Sequence, residues 1–275
     1  MKILYIAEIV GKAGVFALKK CLPILKEKEK PDFIIACGDG ATGGKGLGRN
    51  HAAYIRKLGV HVIVTGDYCF FKKDLTENLS LIPYVLRPLN LNYEAPGQGS
   101  RIFRVDMGNR EEKLALAVIL GQSGFYRLHG NNPFSGVEAL LERLRQETPN
   151  VIIDFHAQAS AEKQTFFAMV DGLCSAVIGS HTRVQTSDER ILAKGTAVIS
   201  DAGRSGSTES VGGFFIESSI KEYISGIPDW TNDAWEKPEL QGLLLELGDG
   251  GKALSIKRIR MEAKAGKEDK DADLP

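Results

Sequence analysis

Glu8, Asp39, Asp67, His156 and His181 each stand at or just past the end of a short apolar run: "KILYIAEIVG", "FIIACGDG", "VHVIVTGDY", "NVIIDFHAQ" and "SAVIGSHTR". Carboxylates and imidazoles gathered from distant stretches are suited to holding Mn²⁺, Fe or Zn²⁺. Taken singly, each has a plainer reading. An Asp after a strand is most often a turn former or helix N-cap, and a His is most often a hydrogen-bonded residue. Their recurrence in equivalent places is what points to a site. Two further residues break the pattern. Tyr68 follows Asp67 directly, and Arg183 lies two residues beyond His181. An arginine offers donors and no acceptor, so it cannot ligate a metal.

The runs that deliver these residues are short, β-branched and apolar throughout, which predicts strands buried on both faces. "LALAVILGQSG" and "TAVISDAG" belong to the same set. Amphipathic helices are expected between them. "KAGVFALKKCLPILKEKEK" is one, with Pro23 expected to kink or split it; "GRNHAAYIRKLG" and "PFSGVEALLERLRQE" are others. Strands alternating with helices predict an α/β architecture, where ligands bind beyond the carboxyl ends of the strands. "LQGLLLELGDGGKALSIKRIRM" reads as a closing hairpin around a Gly-rich turn. One domain is expected over residues 1–262, followed by a charged, apolar-poor tail at 263–275 that is expected to be disordered.

With 275 residues, 43% hydrophobic and 25% charged, the chain can bury a sizeable core. Its 35 basic and 35 acidic residues cancel, which argues against nucleic-acid binding by overall charge and leaves only a local patch open. The four cysteines show no CxxC spacing, so free thiols in a reducing compartment are expected. Glu8 interrupts the N-terminal apolar run and no clean cleavage site follows it, so neither a signal peptide nor a membrane span is expected. The cytoplasm is the expected location.

Longer motifs carry a resemblance. "TGDY", "VLRPLN", "PGQG", "DFHAQASAEK" and "IGSHTRVQTSDERILAKGTAVISDAG" resemble the YmdB-like bacterial metallophosphoesterases, a branch of the calcineurin-like superfamily, over nearly the whole chain. The resemblance implies a four-layer fold, two β-sheets packed together and flanked by helices. It also implies a two-metal site hydrolysing phosphodiesters such as cyclic nucleotides. The family's first-strand Asp is here Glu8, and its Glu-Asn pair is Asp39-Gly40. Its Gly-Asn-His is Gly66-Asp67-Tyr68, and its His-Thr-His is His181-Thr182-Arg183; His156 and His181 are unchanged.

By that resemblance the first metal falls on Glu8, Asp39 and the Arg183 position, and the second on Asp39, Asp67, His156 and His181. The expectation is one divalent ion, Mn or Fe, with Arg183 beside Glu8 where the other ion would lie. Tyrosine, with a pKa near ~10, is poorly matched to proton transfer at neutral pH, so Tyr68 in place of the family histidine predicts weakened activity. Gly40 and Lys45, in the glycine-rich "GDGATGGKGLG", are expected near the substrate, where backbone N–H groups could cradle phosphate; a plain loop is the alternative. Two functions stay open: a metal-dependent phosphodiesterase, or a silent relative that binds a nucleotide or a protein partner. A small phosphodiester or nucleotide is the expected ligand, and a homo-oligomer is left open.

Overall fold

A computed structural model describes all residues except 109, 126–127, 229–231, 265–268 and 270–275. Most of the tail at 263–275 therefore lies outside the described residues. The chain begins with β1 (Lys2–Ile6), β2 (Glu8–Ile9), α1 (Gly11–Glu29), β3 (Phe33–Cys37), α2 (Arg49–Lys57), β4 (Val62–Val64), α3 (Lys73–Thr76) and β5 (Val85–Leu86). It continues through β6 (Ser100–Asp106), β7 (Glu111–Leu120), α4 (Val137–Glu147), β8 (Val151–His156), α5 (Ser160–Val170), β9 (Ala176–Ser180) and β10 (Arg190–Ile191). The last elements are β11 (Ala197–Ile199), β12 (Arg204–Ser207), α6 (Ile216–Ser225), β13 (Pro238–Leu247) and β14 (Ala253–Glu262).

Two sheets form. One runs β2-β12-β13-β1-β3-β4-β5 with β14 paired to β13, and the other runs β10-β11-β9-β8-β7-β6. In the first, β1, β3, β4 and β5 are parallel. In the second, β7, β8, β9 and β11 are parallel. The β13–β14 hairpin pairs antiparallel, as its sequence predicts.

Strand alternation divides the core into three. Ile3, Tyr5, Phe33, Ile35, Val62 and Val64 face Leu114, Leu116, Val118, Ile152 and Ile178 across the gap between the sheets. The opposite side chains of the first sheet, among them Leu4, Ile6, Ile34 and Ile63, pack on Phe16, Leu18 and Leu22 of α1 and Ala52 and Ile55 of α2. Those of the second, Val151, Ile153, Phe155 and Val177, pack on Leu141 and Leu144 of α4 and Phe166 and Phe167 of α5. The result is the four-layer sandwich of two sheets flanked by helices. Among the described residues no helix is long and apolar enough to cross a membrane.

Pro23 does not split its helix: α1 is continuous from Gly11 to Glu29. The proline sits on the solvent side, so the carbonyl of Lys19 that loses its N–H partner is on an exposed turn, while Leu18, Leu22 and Leu25 bury against the sheet.

Candidate metal and active site

The parallel strands of both sheets end on one edge of the sandwich, and the side chains there meet. β4 runs into Asp67, β8 ends on His156, and β9 runs into His181. Asp67 Oδ1 lies 2.8 Å from His156 Nε2 and 3.2 Å from His181 Nδ1, and those two ring nitrogens are 3.2 Å apart. Among the described residues this is the group whose ligand atoms, all within 4.8 Å of one another, could hold a metal ion. Two imidazoles and a carboxylate suit a first-row divalent cation. Gly66 makes the approach feasible, since a Cβ there would stand 2.1 Å from the His156 ring.

Electrostatics match a site built around positive charge. Burial alone would push the His156 pKa down, but the hydrogen bond to Asp67 and the charges of Asp39, Asp67 and Glu8 raise it to about 9. Asp67 is driven the other way. Burial favours its neutral form, and the bonds from His156 and His181 outweigh this and hold it far below the usual carboxylate range. The pair shares a proton where a cation would bind both partners.

His156 is fixed from behind. Its Nδ1 lies 3.0 Å from Ser180 Oγ, which donates to Asp154 Oδ1 at 2.8 Å, while the Tyr5 hydroxyl donates to Asp154 Oδ2. This chain crosses the layer between the sheets and turns Nε2 toward Asp67 and His181. It is the arrangement in which a hydrogen bond at one ring nitrogen sets which nitrogen ligates. The ring of Phe125 covers the front, 4.9 Å from His181 and 5.9 Å from His156.

Asp39 and Glu8, expected as ligands, lie outside the three-residue group and hold hydrogen bonds of their own. Asp39, fully buried, accepts the N–H of Gly66 at 2.6 Å and of Tyr68 at 3.1 Å, and its Oδ2 is 3.7 Å from His156 Nε2. It is a brace for the turn that carries Asp67 and falls outside the three-ligand group. Burial, with Asp67 and Glu8 nearby, raises its pKa to about 7.

Glu8 Oε1 accepts Arg183 Nε at 2.9 Å and Nη2 at 2.7 Å. Nη2 also donates to Gly44 O at 2.9 Å and Nη1 to Gly212 O at 3.0 Å, and the guanidinium carbon lies 5.5 Å from the Phe214 ring centre. By the resemblance, the first metal would lie here. The position is filled by a fixed positive charge that has no lone pair to give. Among the described residues Glu8 Oε2 is buried with no hydrogen-bond partner.

The glycine-rich loop bonds to itself and to Arg183. The N–H groups of Thr42, Gly46 and Gly48 bond Gly46 O, Asp39 O and Thr42 Oγ1, and Gly44 presents its carbonyl to the guanidinium. Gly40 is needed for closeness, because a Cβ there would be 2.9 Å from both Arg183 Nη2 and Glu8 Oε1. Lys45 Nζ lies over Phe214, 5.4 Å from its centre. Tyr68 is half-buried and edge-on to Phe71; burial and the Asp67 charge raise its pKa, so its hydroxyl stays protonated. His51 falls within α2 and His129 is exposed. Cys69 is buried and burial pushes its thiol up, so it is no nucleophile.

Sequence reasoning missed Tyr5, Asp154 and Ser180 as supports, and it missed a buried ion pair between Lys163 and Asp201. Lys163 had a signal. It occupies the same helix stripe as Phe166, Phe167 and Val170, where a lysine is out of place unless it has a buried partner.

The chain resembles known proteins along most of its length. The family model described as YmdB-like protein matches residues 4–259. The 2',3'-cyclic-nucleotide 2'-phosphodiesterase of Bacillus subtilis (strain 168) is 36% identical over 260 residues, covering 94% of this chain and 96% of that one. A crystal structure of a phosphatase from Mycoplasma pneumoniae superposes with a TM-score of 0.88 at 29% identity, covering 99% of this chain and 97% of that one. A 5'-nucleotidase precursor from Thermus thermophilus shares the fold alone, with a TM-score of 0.59 at 9% identity over 95% of this chain and 54% of its own. The chain belongs to the YmdB-like family and is a hydrolase of the phosphoesterase type.

Proposed function

We propose that the protein is a one-metal phosphodiesterase of the YmdB type, acting on 2',3'-cyclic nucleotides or related small phosphodiesters with weakened turnover. The observation that carries this reading is the pairing of an intact Asp67–His156–His181 cluster with an Arg183 guanidinium seated on Glu8. Asp67, His156 and His181 would hold the ion, which would supply Lewis-acid charge for a phosphoester. The rest of the site is this chain's own. Tyr68 can donate a hydrogen bond to a phosphate oxygen but exchanges its proton poorly at neutral pH. Arg183, paired to Glu8, places a permanent guanidinium where the resemblance puts the other ion. Phe125 packs against both imidazoles and limits how their rings can turn. The substrate class comes from the Bacillus subtilis relative, whose name specifies it.

The test is metal content and hydrolysis measured together. Purified protein loaded with Mn²⁺ is expected to hold at most one ion per chain and to lose it on His156→Ala. Turnover of a 2',3'-cyclic nucleotide is expected to be slow, by about two to four orders of magnitude relative to a histidine at position 68. Tyr68→His with Arg183→His is expected to raise both the ion count and the rate. Two ions per wild-type chain would remove the one-metal reading. Tight nucleotide binding with no turnover at any metal concentration would make the protein a binder rather than an enzyme.

A further inference from the structure

His181 holds a backbone conformation that its side chain disfavours, with φ at 99°, and Arg183 follows at 61°. Left-handed values at non-glycine residues are strained and persist only where the surroundings over-determine them. Those surroundings can be identified on both sides of His181. Lys163, 1% exposed on α5, donates from Nζ to the carbonyl of Ser180 at 2.9 Å and to Asp201 Oδ2 at 3.0 Å. The same Asp201 oxygen accepts the Thr182 N–H at 2.8 Å and the Thr182 hydroxyl at 2.7 Å, while Oδ1 accepts the N–H of Gly203 at 2.9 Å. The residue before His181 and the residue after it are thus tied to one buried ion pair.

We infer that Lys163 and Asp201 are positioning residues that hold His181 in its strained conformation, and so set the geometry of the third metal ligand. A buried lysine–carboxylate pair is weak evidence for stability, because desolvation offsets most of its attraction. Placement is a better account of it here, since its hydrogen bonds converge on residues 180 and 182. His156 is held by its ring through Ser180 Oγ, which Asp154 and Tyr5 orient from β8 and β1, whereas Lys163 holds only the Ser180 carbonyl. The pair should therefore act chiefly on His181, whose backbone it fixes on both sides. The inference rests on the metal-binding reading above for its consequence, though not for its geometry.

Two readouts separate those parts. The first is Mn²⁺ affinity by calorimetry. The second, in metal-free protein with labelled histidines, is the nuclear Overhauser cross-peak between the His156 and His181 rings. Changing Lys163 alone would leave Asp201 buried and bare, so the variant is the neutral double Lys163→Met/Asp201→Asn. Folded double variant is expected to bind Mn²⁺ about 10- to 100-fold more weakly, as supports behind a ligand typically do. It is also expected to lose the cross-peak, while the His156 signals keep their positions. Wild-type affinity with an unchanged cross-peak in the folded double variant would overturn the inference. If the double variant fails to fold, Thr182→Val decides, because it removes one bond to Asp201 on an exposed residue without baring a charge. A loss of about fivefold in affinity is expected there, and wild-type affinity would overturn the inference. Should wild type bind no Mn²⁺, the functional reading falls, and the cross-peak in these variants still tests the positioning.

Discussion

At the scale of single residues, Arg183 changes what the site is. Its burial lowers its pKa, but the Glu8 carboxylate more than restores it, so the guanidinium stays charged with Glu8 at 2.7 Å. The pair sits in a pocket that also takes up the carbonyls of Gly44 and Gly212. Such a pair is costly to break from one side. Arg183→Met is expected to destabilise the protein by about 3–5 kcal/mol, because Glu8 is left as a buried uncompensated charge. Glu8→Gln/Arg183→Met is expected to cost clearly less than the sum of the two single changes. Urea unfolding of the four proteins measures the coupling, and strictly additive losses would mean that the two groups do not rely on each other. Arg183 is also poorly placed to grip a phosphate with its full planar fork. Nε, Nη2 and one Nη1 direction already face protein acceptors, so its contribution to a ligand is chiefly charge.

Among the elements, the segment between β9 and β11 matters most, because it carries His181 and Arg183 and must return to the sheet. Asp188 closes it. This carboxylate accepts the Ser200 N–H at 3.0 Å, the Ser200 hydroxyl at 2.6 Å, the Thr186 hydroxyl at 2.7 Å and Gln164 Nε2 at 3.0 Å. Burial favours its neutral form, yet these donors outweigh burial and lower its pKa. A carboxylate depressed in the fold adds stability that is fully present above the unfolded value of ~3.9 and is lost as pH falls through its lower folded value. The stability gap between wild type and Asp188→Asn should therefore be largest at about pH 5 and above and close toward about pH 2. Urea midpoints measured across that range check it; a gap constant with pH would mean that the charged form is not the one being held.

Over the whole molecule, the two sheets are joined by more than apolar contact. Tyr5 of β1 and Asp154 of β8, 149 positions apart in sequence, bond across the central layer, and Asp154 then leads through Ser180 to His156. Burial raises the pKa of both Tyr5 and Asp154, and the Asp154 charge raises that of the tyrosine further, so the phenol remains the donor. Tyr5→Phe keeps the ring in the core and removes only the donor. It is expected to cost about 1–3 kcal/mol, the penalty for a buried acceptor losing its partner. Thermal or urea unfolding measures this, and an unchanged midpoint would show that packing alone joins the sheets.

The sequence alone determined the strands that lead to Glu8, Asp39, Asp67, His156 and His181, because a strand buried on both faces needs an unbroken apolar run and the polar residues beyond it are visible in the letters. It also determined that Arg183 could not ligate, which is a property of guanidinium in any context. The closing hairpin was legible from the same local patterns, and the four layers only through the family resemblance. What each carboxylate does was not. Asp39 and Asp67 look alike as residues after strands, yet one faces two backbone N–H groups and the other two imidazoles. That difference depends on the direction each side chain takes once β3 and β4 are paired and the second sheet is packed against them. Nor could the letters show that Lys163 meets Asp201, or Tyr5 meets Asp154. These bonds join residues far apart in the chain, and their geometry exists only after strand register and sheet-on-sheet packing have fixed which faces oppose. Pro23 is the converse case: a local rule predicts a broken helix, and the buried leucines around it, packed on a finished sheet, keep α1 whole.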